Sequence, residues 1–121
     1  MTKIKFYNVT PVPKPRQTRS DKWKKRPSVI KYREFADQVR AAGIEIPVSG
    51  AEIVFKLPMP ISWSKKKRAK MLGSPHQARP DIDNLLKALL DAIFDEDSCV
   101  WDIRASKLWS ESGSITIILP E

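Results

Sequence analysis

Apolar and polar positions alternate from Lys3 to Val9, in KIKFYNV, and this period predicts a first strand. In SVIKYREFADQVRAA (28–42) the spacing changes: Val29, Tyr32, Phe35, Ala36 and Val39 recur at helical intervals behind a possible Ser28 cap, and Gly43 can close the helix. AEIVFKLP (51–58) is apolar on both sides, which predicts an interior strand. DNLLKALLDAIF (83–94) carries a single stripe of Leu85, Leu86, Leu89, Leu90, Ile93 and Phe94, a second amphipathic helix. SCVWDIRASKLWS (98–110) and SITIIL (114–119) predict two strands joined into a hairpin by a short turn at Glu111 to Gly113. Trp101, Leu108, Trp109 and the strand Ile115 to Leu119 read as core. The order β-α-β-α-β-β implies an α/β fold, one domain over residues 1–121 with a mixed sheet covered by two helices. The stretches 11–27 and 62–80, rich in proline, lysine and arginine, predict exposed loops.

Composition narrows the chemistry. The 121 residues are 41% hydrophobic and 30% charged, a globular balance. No apolar run approaches the roughly 20 residues of a membrane span, and the Met-Thr-Lys start lacks a signal-peptide core, so a cytoplasmic protein with no membrane partner is expected. One cysteine, Cys99, excludes an internal disulfide, and one histidine, His76, leaves too little for a zinc site or a histidine-based triad. His76 itself reads as a surface residue without a special role.

The net charge of +8 is segregated: residues 1–80 hold 19 Lys and Arg against 5 acids, and residues 81–121 hold 3 against 9. A basic half of this kind suits a polyanion, nucleic acid first. The candidate phosphate contacts are Lys14, Arg16, Arg19, Lys22, Lys24, Lys25 and Arg26 in the first loop and Lys65, Lys66, Lys67, Arg68 and Lys70 in the second. Arg79 follows beside the acids. Such loops hold a backbone without reading bases. Trp23 and Trp63, set among these cations, could stack on an unpaired base.

The densest chemistry lies in RPDIDNLLK (79–87). Asp81 falls where the helix starts, and Asp83, Lys87 and Asp91 follow at i, i+4 and i+8 on the face opposite the leucines. Taken singly, Asp81 could cap, Asp83 could answer the helix dipole, and Lys87 could bridge two surface acids. Asp95, Glu96 and Asp97 come next, and a strand running back along the helix could return an acid towards the pair, within one chain or across a dimer. Gathered carboxylates repel unless a cation intervenes, and hard oxygen donors suit Mg²⁺, with Mn²⁺ able to substitute. Lys87 could offset charge on a phosphate or simply hold the helix face together.

RPDIDNLLKALLDAIFDEDSCVWD resembles the central motif of the RusA family of Holliday junction resolvases, common in bacteriophages and prophages: D-x-D-N-L-x-K, a helix ending in D-A-[LI], and an acidic pair before a strand. PVPKPRQTR and the basic loop Ser64 to Lys70 resemble further family segments, so the likeness covers nearly the whole chain. The resemblance implies that Asp81, Asp83 and Asp97 are metal ligands and that Lys87 is the catalytic lysine. Glu96 departs from the family's usual Asp, and Asp91 matches a recurring position assigned here to structure. It also implies a Mg²⁺-dependent homodimer of mixed α/β fold that cuts four-way junctions, one strand per subunit, and two-fold symmetry would supply the two identical sites. The alternatives are a broader debranching nuclease and a basic DNA-binding module without catalysis.

Overall fold

In the computed structural model, which describes residues 3–15 and 27–120, the alternating segments pair into one mixed sheet of four strands. In chain order the elements are β1 (Lys3–Tyr7), α1 (Pro27–Ala41), β2 (Ser49–Pro58), α2 (Lys65–Met71), α3 (Ile82–Ile93), a 3₁₀ turn (Asp97–Cys99), β3 (Asp102–Ser110) and β4 (Ser114–Leu119). The spatial order is β1-β4-β2-β3, with β3 parallel to β2 and β4 antiparallel to both β1 and β2. This is the expected α/β architecture with a mixed sheet, and β2 is interior as its two-sided apolar pattern predicts.

One face of the sheet makes the core. Ala51, Ile53, Phe55 and Leu57 of β2 and Ile115 and Ile117 of β4 are buried there against Phe35, Ala36 and Val39 of α1 and Leu85, Ala88 and Leu89 of α3. The helical stripes read from the sequence are therefore the faces that dock, and the charged side of α3 is left outward. Ile115 and Ile117 are fully buried, as expected of core. The opposite sheet face is thinly covered, and Ile4 and Phe6 on β1 are exposed.

Four expectations change. First, β3 and β4 do not form a hairpin: both flank β2, so Glu111 to Gly113 crosses the end of that strand instead of turning back on β3. β3 reaches β2 as the return of a β-α-β crossover through α3, and parallel pairing on that side leaves β4 only the other side. A Cβ on Gly113 would come within 2.5 Å of the Thr10 side chain, so the crossing link fits only glycine. Second, the loop 62–80 contains α2, which buries no residue. A helix without an apolar face gives no periodic signal; it rests on the propensity of Lys, Arg, Ala and Met and on a Ser64 cap that accepts from the Lys67 N–H at 3.2 Å. Third, α1 begins at Pro27, so Ser28 lies inside its first turn and is not the cap. Gly43 closes α1 as expected, at φ 66°. Fourth, Trp101 is 76% exposed, because β3 begins one residue after it and its indole stands outside the sheet.

Candidate functional site

The start of α3 sits at the C-terminal ends of the parallel strands β2 and β3, where α/β folds place their ligands. Asp81 occupies the N-cap position and its backbone carbonyl accepts from Leu85 N–H at 3.2 Å, but its carboxylate makes no capping hydrogen bond. Asp83 lies in the first turn and accepts from the Asn84 N–H at 3.0 Å. Both residues are exposed. Two carboxylates thus stand at the positive end of a helix dipole with no side-chain cation on either among the described residues.

One turn further on the charges are tightly paired. The Lys87 ammonium lies 3.2 Å from Asp91 and 3.1 Å from Asp97, and Asp91 also takes Lys14 at 3.0 Å. The acidic run after α3 therefore does double back: Asp97, at the head of the 3₁₀ turn, reaches the middle of the helix. Hydrogen bonds that the Lys87 ammonium donates, first to Asp97 and then to Asp91, hold it above its ordinary pKa, so it stays charged through neutral pH. Partial burial works against the charge on Asp91, yet Lys14 and Lys87 outweigh it and keep the carboxyl below its usual range. Lys14 is also desolvated, and Asp91 and Tyr32 more than offset that. Lys14 lies over the Tyr32 ring at 4.4 Å, and its N–H donates to the Asn84 carbonyl, which ties the segment after β1 along α3.

A hard divalent cation suits these oxygen donors, and Mg²⁺ commonly takes one or two protein carboxylates and completes its shell with water. Asp81 and Asp83 fit that habit. Among the described residues no three His, Cys, Asp or Glu side chains draw together around one point, and Asp97 is directed to Lys87.

The other predicted contacts distribute unevenly. Lys65, Lys66, Lys67 and Lys70 are exposed on α2, whereas Arg68 donates to the Pro60 carbonyl at 2.8 Å and pairs with Glu111 at 3.3 Å, anchoring the helix. Lys67 lies over the Trp63 ring at 4.2 Å, and Trp63 packs on Trp109 at 4.8 Å. Arg79 is exposed beside Asp81. Arg16, Arg19, Lys22, Trp23, Lys24, Lys25 and Arg26 lie outside the described residues.

Two residues of the site were not anticipated. Lys107 Nζ donates to the carbonyls of Ala78 and Pro80, both at 2.8 Å, and so pins the loop that delivers Asp81. Its signal was present in β3, where Ile103, Ala105, Lys107 and Trp109 share the core-facing side and lysine breaks an otherwise apolar row. His76 is not a surface residue: it is 5% exposed, its ring lies 4.0 Å from Trp109, and its N–H donates to the Lys107 carbonyl. The cause is an antiparallel bridge of Pro75 to Leu108 that lays residues 73–76 against the outer edge of β3. Nothing local in Ser-Pro-His-Gln announces that pairing.

The sequence model of a family described as Endodeoxyribonuclease RusA matches residues 7–119. Among curated proteins, the chain is 36% identical over 83 residues to YqaN of Bacillus subtilis (strain 168), a protein described as uncharacterized; the match covers 62% of this chain and 58% of the relative. The chain thus spans less than two thirds of that relative's length. No helix among the described residues is long and apolar enough to cross a membrane.

Proposed function

Because the chain belongs to the RusA endodeoxyribonuclease family, we propose that it is a Mg²⁺-dependent endonuclease that resolves four-way DNA junctions as a homodimer by paired, symmetric cleavage. The observation that carries the proposal is the N-cap aspartate that does not cap: Asp81, with Asp83 two residues on, presents carboxylate to the space outside α3 instead of to its own helix. Asp81 and Asp83 would hold the metal, Asp97 would join them as a third ligand only by releasing Lys87, and Mn²⁺ would substitute. When bound, such an ion supplies a Lewis acid for phosphate oxygens and a hydroxide nucleophile near neutral pH.

The chain's own residues do the rest. Lys87, held between Asp91 and Asp97, carries the positive charge that offsets negative charge growing on the phosphoryl oxygens. Lys107 fixes the loop carrying Asp81. The exposed lysines of α2 and Arg79 hold backbone phosphates near the acids, a contact that recognises branch geometry more than sequence. Ile4 and Phe6, 64% and 62% exposed on β1, support a subunit contact on the uncovered sheet face. The setting would be the cytoplasm of a bacterial host.

A synthetic four-way junction incubated with Mg²⁺ tests the proposal. Wild type yields paired nicks, and Asp83→Asn binds the junction but leaves it intact. Equal product from both proteins would remove Asp83 from the mechanism. Linear duplex cut as fast as the junction would instead indicate a general debranching nuclease, and junction binding without cleavage by wild type a DNA-binding module.

A further inference from the structure

Just past the end of β2 the chain makes a turn that holds an isoleucine out into solvent. Ile61 is 97% exposed, more than any other large apolar residue described. The turn beneath it is braced. The Pro60 carbonyl accepts from the Trp63 N–H at 3.2 Å and from Arg68 Nη1 at 2.8 Å, and Trp63 is half-buried, engaged by the Lys67 ammonium and by Trp109. Trp63 is thus committed within the protein, and the apolar surface that this segment offers outward is Ile61. A single surface isoleucine needs no explanation, but one held out by a braced turn among cations does. Lys65 and Lys66 follow it at the start of α2, both exposed.

Its position matters as much. Pro60, the preceding residue, borders a groove of about 860 Å³ that is also bounded by Arg79, Asp81 and Trp109. A groove of that volume is on the order of 10 Å across, about three nucleotides of a stacked strand at about 3.4 Å each. Ile61 therefore stands one residue beyond that groove, at the end of the sheet that carries Asp81 and Asp83.

We infer that Ile61 is an apolar wedge that enters a base step at the branch point of the DNA while the lysines of α2 hold the phosphates of the adjoining arm. A branched aliphatic side chain can neither hydrogen-bond a base edge nor pair with a phosphate. What DNA offers it is the apolar faces of two bases, reached by unstacking them. Continuous duplex resists that unstacking, and a branch point, where stacking is already interrupted, resists it least. The inference rests on the nuclease reading above and adds to it the residue that tells a branch from plain duplex. A second copy of the chain is the rival occupant, and charge argues against it: a two-fold contact centred on Ile61 would set Lys65 and Lys66 of one subunit against the same lysines of the other.

The test uses the full chain with a synthetic four-way junction in EDTA, where nothing is cut, beside a linear duplex of the same arm sequence. Wild type raises the fluorescence of 2-aminopurine placed beside the branch point, the mark of an opened step. Ile61→Ser loses that rise and lowers the ratio of junction to duplex affinity by at least ~10-fold, the scale of one isoleucine side chain buried or left in water. Its affinity for linear duplex changes by less than ~2-fold, because the phosphate contacts are untouched. Ile61→Leu, apolar and of equal volume, keeps both signals. Leu72→Ser, which removes an exposed apolar side chain from the other end of α2, leaves them as in wild type. The melting temperature of Ile61→Ser stays that of wild type, since the side chain meets solvent and not the core.

A fluorescence rise and an affinity ratio that survive Ile61→Ser, or that fall equally in Leu72→Ser, overturn the wedge while leaving the nuclease standing. A dimer that dissociates in sedimentation when Ile61 is replaced does the same, because it gives the side chain to a second copy. Opening that depends on Ile61 in a protein that cuts no junction with Mg²⁺ sustains the wedge and removes the nuclease.

Discussion

Asp91 holds two lysines with one carboxylate, Lys14 at 3.0 Å and Lys87 at 3.2 Å, and links the segment after β1 to the charged face of α3. Its sequence position, four residues after Lys87, was legible as a structural partner; the second partner, Lys14, was not, because it is 77 positions away and its own neighbours are prolines. The pH dependence follows from the directions of the shifts. Asp91 is held below its ordinary 3.8, so its contribution is present above that value and fades as acid protonates the folded carboxyl. Lys14 and Lys87 are held above 10.5, so theirs is complete below that value and is lost as pH rises past it. Solvent screens Lys87, which is half exposed, so most of the effect belongs to the Lys14 pair. Asp91→Asn is expected to lose about 1 kcal/mol against urea near neutral pH, and the gap to wild type should narrow between about pH 5 and about pH 2. A gap that stays constant over that range would show that the loss is packing and not charge.

At the scale of elements, what the sequence disclosed was what local periodicity can carry. α1 and α3 were visible because an apolar stripe repeats every three or four residues, and β2 because both of its faces are apolar. The D-x-D-N-L-x-K start of α3 was visible because its members are sequence neighbours. The partner of each strand was not legible: three residues between β3 and β4 look like a hairpin turn whether the chain folds back on itself or steps over β2. α2 was hidden because it has no buried face, and the groove because it depends on residues 73–76 finding the edge of β3 some thirty positions later. The same long-range packing explains Lys107, whose ammonium holds two carbonyls of the loop ahead of Asp81. Lys107→Met keeps the aliphatic stem and removes both charged hydrogen bonds. It should cost about 2 kcal/mol of stability, and in single-turnover assays at saturating protein it should slow junction cleavage ~10-fold through a misplaced Asp81. Junction affinity should change by no more than ~2-fold, since phosphate contacts made elsewhere supply most of it. A purely structural role for Lys107 would reduce cleavage only in proportion to the fraction unfolded.

For the whole molecule the decisive feature is the division of charge, 19 basic residues against 5 acids before residue 81 and the reverse excess after it. A substrate that is a polyanion must be drawn to the first part and admitted by the second, so binding should be dominated by cations not already committed within the protein. The structure sorts the second basic cluster on that criterion. Lys65, Lys66 and Lys70 are exposed on α2 and pair with no acid among the described residues, whereas Arg68 is engaged by Glu111 and the Pro60 carbonyl. Each lysine that meets a phosphate adds about 0.9 to the steepness with which log affinity falls against log salt. Replacing Lys65, Lys66 and Lys70 together by Gln should therefore flatten the salt dependence of junction binding by as much as about 5 units for a dimer, which loses six lysines, and leave thermal stability nearly unchanged, because the three side chains hold nothing in the fold among the described residues. Arg68→Gln should do the opposite, lowering the unfolding temperature while moving the slope by less than about 1 unit. Fluorescence anisotropy across a salt series, beside a melting curve for each variant, measures both quantities. Equal slopes for wild type and the triple variant would move the polyanion contact off α2, and a slope lost with Arg68 would mean that DNA displaces Glu111 and takes that guanidinium for itself.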